Sequence, residues 1–192
     1  MAQQRTPWTS PPSPGAPSDW IVRHASGISP VGTVLDVACG AGRHLRWLHA
    51  RGLAVTGIDR TLDGVSGLRG APGVSLIEAD LEDGTPFPLR GQRFSGVVVT
   101  NYLHRPLLPA LVAATADDGV FLYETFALGQ ERLGRPTNPD FLLRPNELVD
   151  AVRPSLTVVS YEHGLVDDGR PRIVQRIAAC GSRHVWATTG RG

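Results

Sequence analysis

The chain has 192 residues, 41% of them hydrophobic, and a net charge of +1, which together predict one globular domain without a nucleic-acid-binding or membrane-binding surface. All 19 basic residues are arginine, which excludes a Schiff-base lysine, a pyridoxal-phosphate anchor and a Walker lysine. Because the chain lacks a membrane-length apolar run and a secretory signal and has only Cys39 and Cys180, we expect a metal-free, cytoplasmic protein.

The two ends of the chain differ in composition from the middle. Residues 1–17 are rich in proline and small polar residues, so they cannot bury enough apolar surface to offset the entropy of ordering. We therefore predict a disordered tail over 1–17, one domain over 18–182 and a flexible tail over 183–192.

Short apolar runs alternate with amphipathic stretches along this domain. The predicted helices cover 20–26, capped by Ser18 or Asp19, then 43–51, a weaker one at 61–69, a stretch after Pro106, and 144–152. The predicted strands cover 33–38, 53–58, 74–79, 94–100, 120–126, 156–162 and 172–179, the last two joined by a polar turn at 167–169. This alternation is typical of an α/β sandwich, with helices on both faces of a mostly parallel sheet and an antiparallel terminal strand.

The segment from Leu35 to Gly42 follows the first strand and leads into a helix. Glycines at 40 and 42 allow a ligand to approach the backbone, and the helix start offers free N–H groups. The dinucleotide pattern G-x-G-x-x-G is not met, because Leu45 stands at its third glycine. Asp36 followed by Cys39-Gly40-Ala41-Gly42 instead resembles the glycine-rich motif of class I S-adenosylmethionine-dependent methyltransferases.

Two further acids follow strands two and three. Asp59 can accept hydrogen bonds from both hydroxyls of a ribose, or it can cap the next helix. Asp80 matches the acid that contacts the adenine amino group in the family, with Leu81 against the ring, although alone it also fits a solvated loop. The resemblance implies S-adenosylmethionine as cofactor, and the residues it assigns to that site are Asp36, Ala38, Cys39, Gly40, Gly42, Asp59, Arg60, Asp80, Leu81 and Asn101.

The resemblance covers nearly all of residues 18–180 and is nearest to small bacterial methyltransferases of the tellurite-resistance and thiopurine types. It implies a three-layer Rossmann-like fold with a seven-stranded sheet. Two positions depart from the family pattern: Ala38 replaces the first glycine, and Ser95 stands where an aspartate usually follows Phe94.

The methyl acceptor is expected beyond strands four and five, where Tyr102, His104 and Glu124 are the candidate catalytic residues. His104 is the candidate base, although it can equally pack in the first turn beside Pro106. Glu124 is an acid late in a buried strand, so we expect it at the rim of the site.

Residues 127–143 have the length of a lid or binding loop. Arg132 and Arg135 on it, with Arg105, are candidate ligands for an anionic acceptor. The N-terminal helix with Trp20 and Arg23 either covers the cofactor or packs as an ordinary helix.

The sequence contains no motif for a base-amino methyltransferase and no basic stripe, so we expect a small-molecule acceptor that can be anionic, with no nucleic-acid or membrane partner. The protein is expected to be a monomer or a homodimer. Two other functions stay open: a non-catalytic protein that binds the cofactor for regulation, and a nicotinamide-dependent oxidoreductase.

Overall fold

Seven strands form one sheet in the computed structural model, which describes residues 15–167 and 169–188. They are β1 (Thr33–Val37), β2 (Ala54–Asp59), β3 (Val74–Glu78), β4 (Phe94–Thr100), β5 (Thr115–Phe126), β6 (Thr157–Val166) and β7 (Arg172–Cys180). Their order across the sheet is β3-β2-β1-β4-β5-β7-β6. Strand β7 runs antiparallel to both of its neighbours, whereas the pairs from β3 through β5 are parallel. The turn between β6 and β7 therefore lies at the same edge as the carboxyl ends of β1, β4 and β5.

Short helices connect these strands. The α-helices are α1 (Asp19–His24), α2 (Arg43–Ala50), α3 (Leu108–Ala113), α4 (Glu147–Val152) and α5 (Val185–Thr188). Turns of 3₁₀ helix cover Ala25–Gly27, Asp63–Leu68, Arg105–Leu107, Gln130–Arg132 and Pro139–Phe141. Within residues 15–167 and 169–188, none of these helices is long and apolar enough to cross a membrane.

The predicted α/β sandwich is confirmed, and all seven predicted strands are present, although β5 and β6 are longer than predicted. Ser18 caps α1 as expected, because its hydroxyl accepts a hydrogen bond from the Trp20 N–H. The weak helix expected over 61–69 is only a 3₁₀ segment, Asp63–Leu68, since Gly64 and Gly67 lower its helix propensity. Strand β5 begins five residues before the predicted position, at Thr115.

The described part of the predicted C-terminal tail packs against the domain, and that of the N-terminal tail borders a cavity. Of the N-terminal tail, residues 15–17 are described, and Ala16 and Pro17 border a cavity. At the other end, His184 is 5% exposed and its ring lies 2.9 Å from the Gly27 carbonyl oxygen. The Trp186 ring covers Gly27 so closely that a side chain at this glycine would collide with it. Residues 1–14, 168 and 189–192, which complete the predicted tails and the 167–169 turn, lie outside the described residues.

One core lies on each face of the sheet. The face covered by α3 and α4 buries Leu35, Val97 and Phe121, and the face covered by α1 and α2 buries Leu45, Val98 and other residues around Trp20. Trp20 is fully buried, and its indole N–H donates to the Ile177 carbonyl oxygen at 3.3 Å. Trp20 is thus a core residue, and it fastens the N-terminal helix to the sheet.

Replacing Trp20 with alanine should lower the free energy of unfolding by about 3–5 kcal/mol, as expected for a large aromatic side chain removed from a packed core. Trp47→Ala is the matched control, because Trp47 is only partly buried beside the same cluster. Urea denaturation of both variants provides the comparison. Equal losses for the two tryptophans would show that Trp20 does not fix α1.

Candidate active site

The turn between β1 and α2 has a backbone that favours glycine. Ala38, Gly40 and Gly42 all have positive φ angles, of 51°, 52° and 74°. A side chain on Gly42 would collide with Val65, whereas the space beside Gly40 is open to at least 4 Å. The turn therefore leaves its backbone exposed on one side, as a ligand-binding loop requires.

Asp59, at the end of β2, holds this turn in place. One carboxylate oxygen accepts the Gly40 N–H at 2.8 Å, and the other accepts the Thr61 N–H at 3.2 Å. A carboxylate has further lone pairs on both oxygens, so Asp59 can still accept hydrogen bonds from a ligand. This hydrogen bond connects the end of β2 to the glycine turn, and the sequence analysis assigned both segments to the same cofactor.

A cavity of about 200 Å³ lies beside Asp59. Its lining residues are Ala38, Asp59, Arg60, Asp80, Leu81, Glu82 and Tyr102. We call it the cofactor cavity, because half of the residues that the resemblance assigns to S-adenosylmethionine line it.

Tyr102, expected on the acceptor side, lines the cofactor cavity. Its buried hydroxyl has no hydrogen bond of good geometry. Burial, and then the negative charge of Glu82, raises the pKa of Tyr102, so the hydroxyl keeps its proton. It is a protonated donor in the lining of the cofactor cavity.

Asp36 lies in the middle of the sheet, on β1, and is 2% exposed. Its Oδ2 atom is buried without a hydrogen-bond partner in the described structure. Burial raises the pKa of Asp36 to about 7, although the Leu45 N–H and the charge of Arg43 act in the opposite direction. An unpartnered buried acid beside an open glycine turn fits the positively charged amino group of an amino-acid ligand.

The pH dependence of the free energy of unfolding tests whether burial raises the pKa of Asp36 in this way. The pKa of Asp36 is about 7 in the folded chain and has an ordinary value of 3.8. Between these two pH values the folded chain therefore keeps a proton on Asp36 that the unfolded chain has lost. Relative to Asp36→Asn, the wild-type free energy of unfolding should therefore fall as pH rises from about 4 to about 7. Urea titrations at several pH values measure this, with the exposed Asp63→Asn as control. Parallel wild-type and Asp36→Asn curves would contradict the raised pKa.

A second cavity, of about 570 Å³, lies along the same edge of the sheet, and we call it the larger cavity. It is lined by residues 16–19, Arg23, Arg43, Asn101, Glu124, Phe126, Val166, Asp167, Arg170, Arg172 and Arg176. Asn101 and Tyr102 are consecutive and line the larger cavity and the cofactor cavity, respectively. The two cavities therefore flank the end of β4.

Glu124 is buried at the base of the larger cavity, with 1% exposure, and not at an open rim. Its carboxylate accepts a hydrogen bond from the Ser18 hydroxyl at 3.0 Å. It also lies 2.9 Å from the Arg176 Nε and 3.7 Å from an Arg172 nitrogen. Arg176 faces Glu124 across β5 and β7 because the two residues are paired in the strand register. Glu124 thus stabilises buried positive charge.

His44 joins the cofactor side to the larger cavity, and the sequence analysis did not single it out. Its Nε2 accepts the Ser18 N–H at 3.0 Å, so its Nδ1–H donates to the Thr100 hydroxyl oxygen 3.2 Å away. Burial, and then the charge of Arg43, lowers the pKa of His44 to about 3. The sequence offered only one signal for this contact, a histidine in the first turn of the helix that follows the glycine turn.

The remaining predicted acceptor residues do not meet in one place. His104 is half-buried and lines neither cavity. Arg105 is bound to the Glu147 carboxylate at 2.6 Å and donates to the carbonyl oxygens of Asp140 and Leu142.

Arg105 thus anchors the 127–143 segment, and it is not available to an acceptor. Arg132 is largely exposed beside Glu131, and Arg135 lines a separate open cleft. The arginines that do reach the larger cavity lie on α1, α2 and the β6–β7 hairpin, and of these the sequence analysis singled out only Arg23.

Comparisons with known proteins agree with this geometry. Residues 34–117 match the family model described as a methyltransferase domain, whereas no curated protein sequence matches the chain. Among solved structures, TehB from Haemophilus influenzae is 20% identical, with 84% of this chain and 61% of that chain covered and a TM-score of 0.64. This chain therefore spans about three fifths of the length of that TehB.

Two further solved structures have the same fold. An S-adenosylmethionine-dependent methyltransferase from Mesorhizobium loti is 16% identical, with 82% of this chain and 95% of that chain covered and a TM-score of 0.63. The 1,6-didemethyltoxoflavin-N1-methyltransferase of Burkholderia thailandensis, solved with 1,6-didemethyltoxoflavin and S-adenosylhomocysteine, is 19% identical, with coverages of 82% and 74% and a TM-score of 0.60.

The strand order, the glycine turn and these likenesses define the class I methyltransferase fold. Residues 34–117 also match the family model of the methyltransferase domain, so this part of the chain is similar to that family. These similarities agree with the cofactor expected from the sequence, S-adenosylmethionine.

Proposed function

We propose that the chain transfers the methyl group of S-adenosylmethionine to a small-molecule acceptor bound in the larger cavity. The observation that supports this is the adjacency of two cavities at one sheet edge, one of them lined by the cofactor motif residues. Ligands of open α/β sheets bind at this edge. A volume of about 570 Å³ suits a small organic molecule and is small for a folded macromolecule.

The residues of the cofactor cavity have distinct roles in this proposal. Asp59 binds the ribose hydroxyls, Asp80 and Leu81 bind the adenine, and Tyr102 donates a hydrogen bond to the nucleoside. Asp36 and the turn from Cys39 to Gly42 bind the amino-acid end. When bound, the cofactor supplies an electrophilic methyl group on a positively charged sulfur.

The larger cavity positions the acceptor. Methyl transfer by in-line displacement depends chiefly on holding the nucleophile about 3–3.5 Å from the methyl carbon, so rigid walls matter more than an acid or base. Asn101 stands between the two cavities, and Glu124 fixes Arg172, Arg176 and Ser18 around the acceptor. His104 stays a predicted base for acceptors that carry a proton, although it lines neither cavity.

The test combines binding with turnover. Calorimetry should show binding of S-adenosylhomocysteine, and S-adenosylmethionine with a labelled methyl group should label at least one member of a panel of small carboxylic acids, phenols, thiols and amines. Binding without transfer to any member would favour a regulatory cofactor-binding protein. Preference for a nicotinamide dinucleotide over S-adenosylhomocysteine in a thermal-shift assay would favour an oxidoreductase.

A further inference from the structure

We propose that the larger cavity selects an acceptor that carries an anionic oxygen group, a carboxylate or a phosphate, and that Arg43 and Arg170 bind this group. The inference rests on the proposed function, and it names the substrate class of the same site. It differs from the sequence expectation, which assigned an anionic acceptor to Arg105, Arg132 and Arg135.

The charge of the cavity wall is the first argument. Among the described residues, five of the 19 arginines line this cavity against three acids, which gives that part of the lining a net charge of +2. The chain as a whole has a net charge of only +1. Two of the acids, Asp19 and Asp167, are exposed, whereas the third, Glu124, is buried. Positive charge is therefore concentrated at this cavity.

Three of these five arginines have protein partners. Arg172 and Arg176 share the buried carboxylate of Glu124, and Arg176 also lies 3.5 Å from Glu162. Arg23 pairs with the same Glu162 at 3.1 Å. These ion pairs hold the inner wall of the cavity in place. The positive charges of Arg23, Arg172 and Arg176 are largely compensated by the carboxylates of Glu124 and Glu162.

Arg43 and Arg170 complete the set, and among the described residues they form no such ion pair. Neither makes a hydrogen bond or ion pair with another residue in the described part of the chain. Arg43 is half-buried in the first turn of α2, directly after the glycine turn, and Arg170 is exposed on the β6–β7 hairpin. The lining of this cavity thus includes two guanidinium groups that form no ion pair in the described part of the chain.

The chemistry of this arrangement favours an oxyanion. A guanidinium group presents a planar fork of N–H donors that matches the oxygens of a carboxylate or phosphate. A cationic acceptor would be repelled by the arginines and by the positive sulfur of the cofactor.

The test measures ligand binding to the full chain saturated with S-adenosylhomocysteine, at low ionic strength. Benzoate and its uncharged isostere benzamide probe the effect of one negative charge at constant shape, and inorganic phosphate probes the alternative oxyanion. Arg43→Gln and Arg170→Gln are each expected to weaken binding of the preferred anion about 10-fold, since each removes charge-assisted hydrogen bonds. Arg69→Gln, an exposed arginine that lines neither cavity, should leave it unchanged.

The outcomes separate this inference from the proposed function. Benzoate binding tighter than benzamide supports a carboxylate acceptor, and phosphate binding lost in both variants supports a phosphorylated one. If S-adenosylhomocysteine binds but neither anion does, the anionic acceptor is overturned and the methyltransferase proposal is unaffected. If Arg43→Gln weakens S-adenosylhomocysteine and not the anion, Arg43 belongs to the cofactor and the inference also fails.

Discussion

Replacing Asp59 with alanine is expected to weaken the binding of S-adenosylhomocysteine by about 100-fold, because two hydrogen bonds to a charged acceptor are lost. The substitution also leaves the Gly40 N–H without its partner at 2.8 Å, so the glycine turn loses its preferred geometry. Both effects reduce affinity for the cofactor. Isothermal titration calorimetry measures the change directly.

The control for Asp59→Ala is Asp63→Ala, which removes an exposed acid from the following 3₁₀ segment. Circular dichroism and thermal melting should show both variants folded, since Asp59 is at the surface end of its strand and not in either core. Unchanged affinity in a folded Asp59→Ala variant would remove this residue from the cofactor site.

Replacing Glu124 with alanine should lower the free energy of unfolding by about 3–5 kcal/mol, the range for breaking a buried ion pair. The reason is the charge left behind: Arg176 is 6% exposed and would lose its nearest carboxylate. Ser18 would also lose the acceptor of its hydroxyl. Urea denaturation provides the measurement.

Glu162 offers a matched comparison, because it also pairs with Arg176 but its side chain is 44% exposed. Glu162→Ala should cost no more than about 1 kcal/mol, as exposed ion pairs do. Glu124→Gln keeps the shape of the side chain and removes only its charge, so it separates the loss of the ion pair from the loss of side-chain volume. If Glu124→Ala is no more destabilising than Glu162→Ala, water reaches Arg176 and the wall of the larger cavity is not fixed by this pair.

The fold was predictable because its strands are short apolar runs in a regular alternation with helices. The run from Thr33 to Val37 is buried along nearly its whole length, as a central parallel strand requires. The Asp63–Leu68 segment was less predictable, since two glycines within an otherwise helical pattern decide between α and 3₁₀ geometry. The packing of His184 and Trp186 was missed because it depends on a contact with Gly27, at the opposite end of the sequence.

The cofactor cavity was predictable for a different reason. Its residues follow strand ends in sequence order, so local motifs locate them. The larger cavity was not predictable, because Ser18, Arg43 and Arg176 come from distant segments of the chain and meet only in the folded protein. The sheet register, which pairs Arg176 with Glu124, is part of what brings them together. The charges of Glu124 and Arg176 in two buried strands were the one available signal, since such charges require each other.

The antiparallel placement of β7 has a consequence for how enzymes of this shape can diversify. The β6–β7 hairpin brings Arg170, Arg172 and Arg176 to the cavity edge of the sheet, while the glycine turn, Asp59 and Asp80 lie within residues 35–81. Under the proposed function, most contacts to the methyl donor and most contacts to the acceptor are thus encoded in separate stretches of the gene, with Arg43 as an exception. Recombination or insertion within the hairpin could replace one specificity by another in a single event, with donor recognition inherited intact.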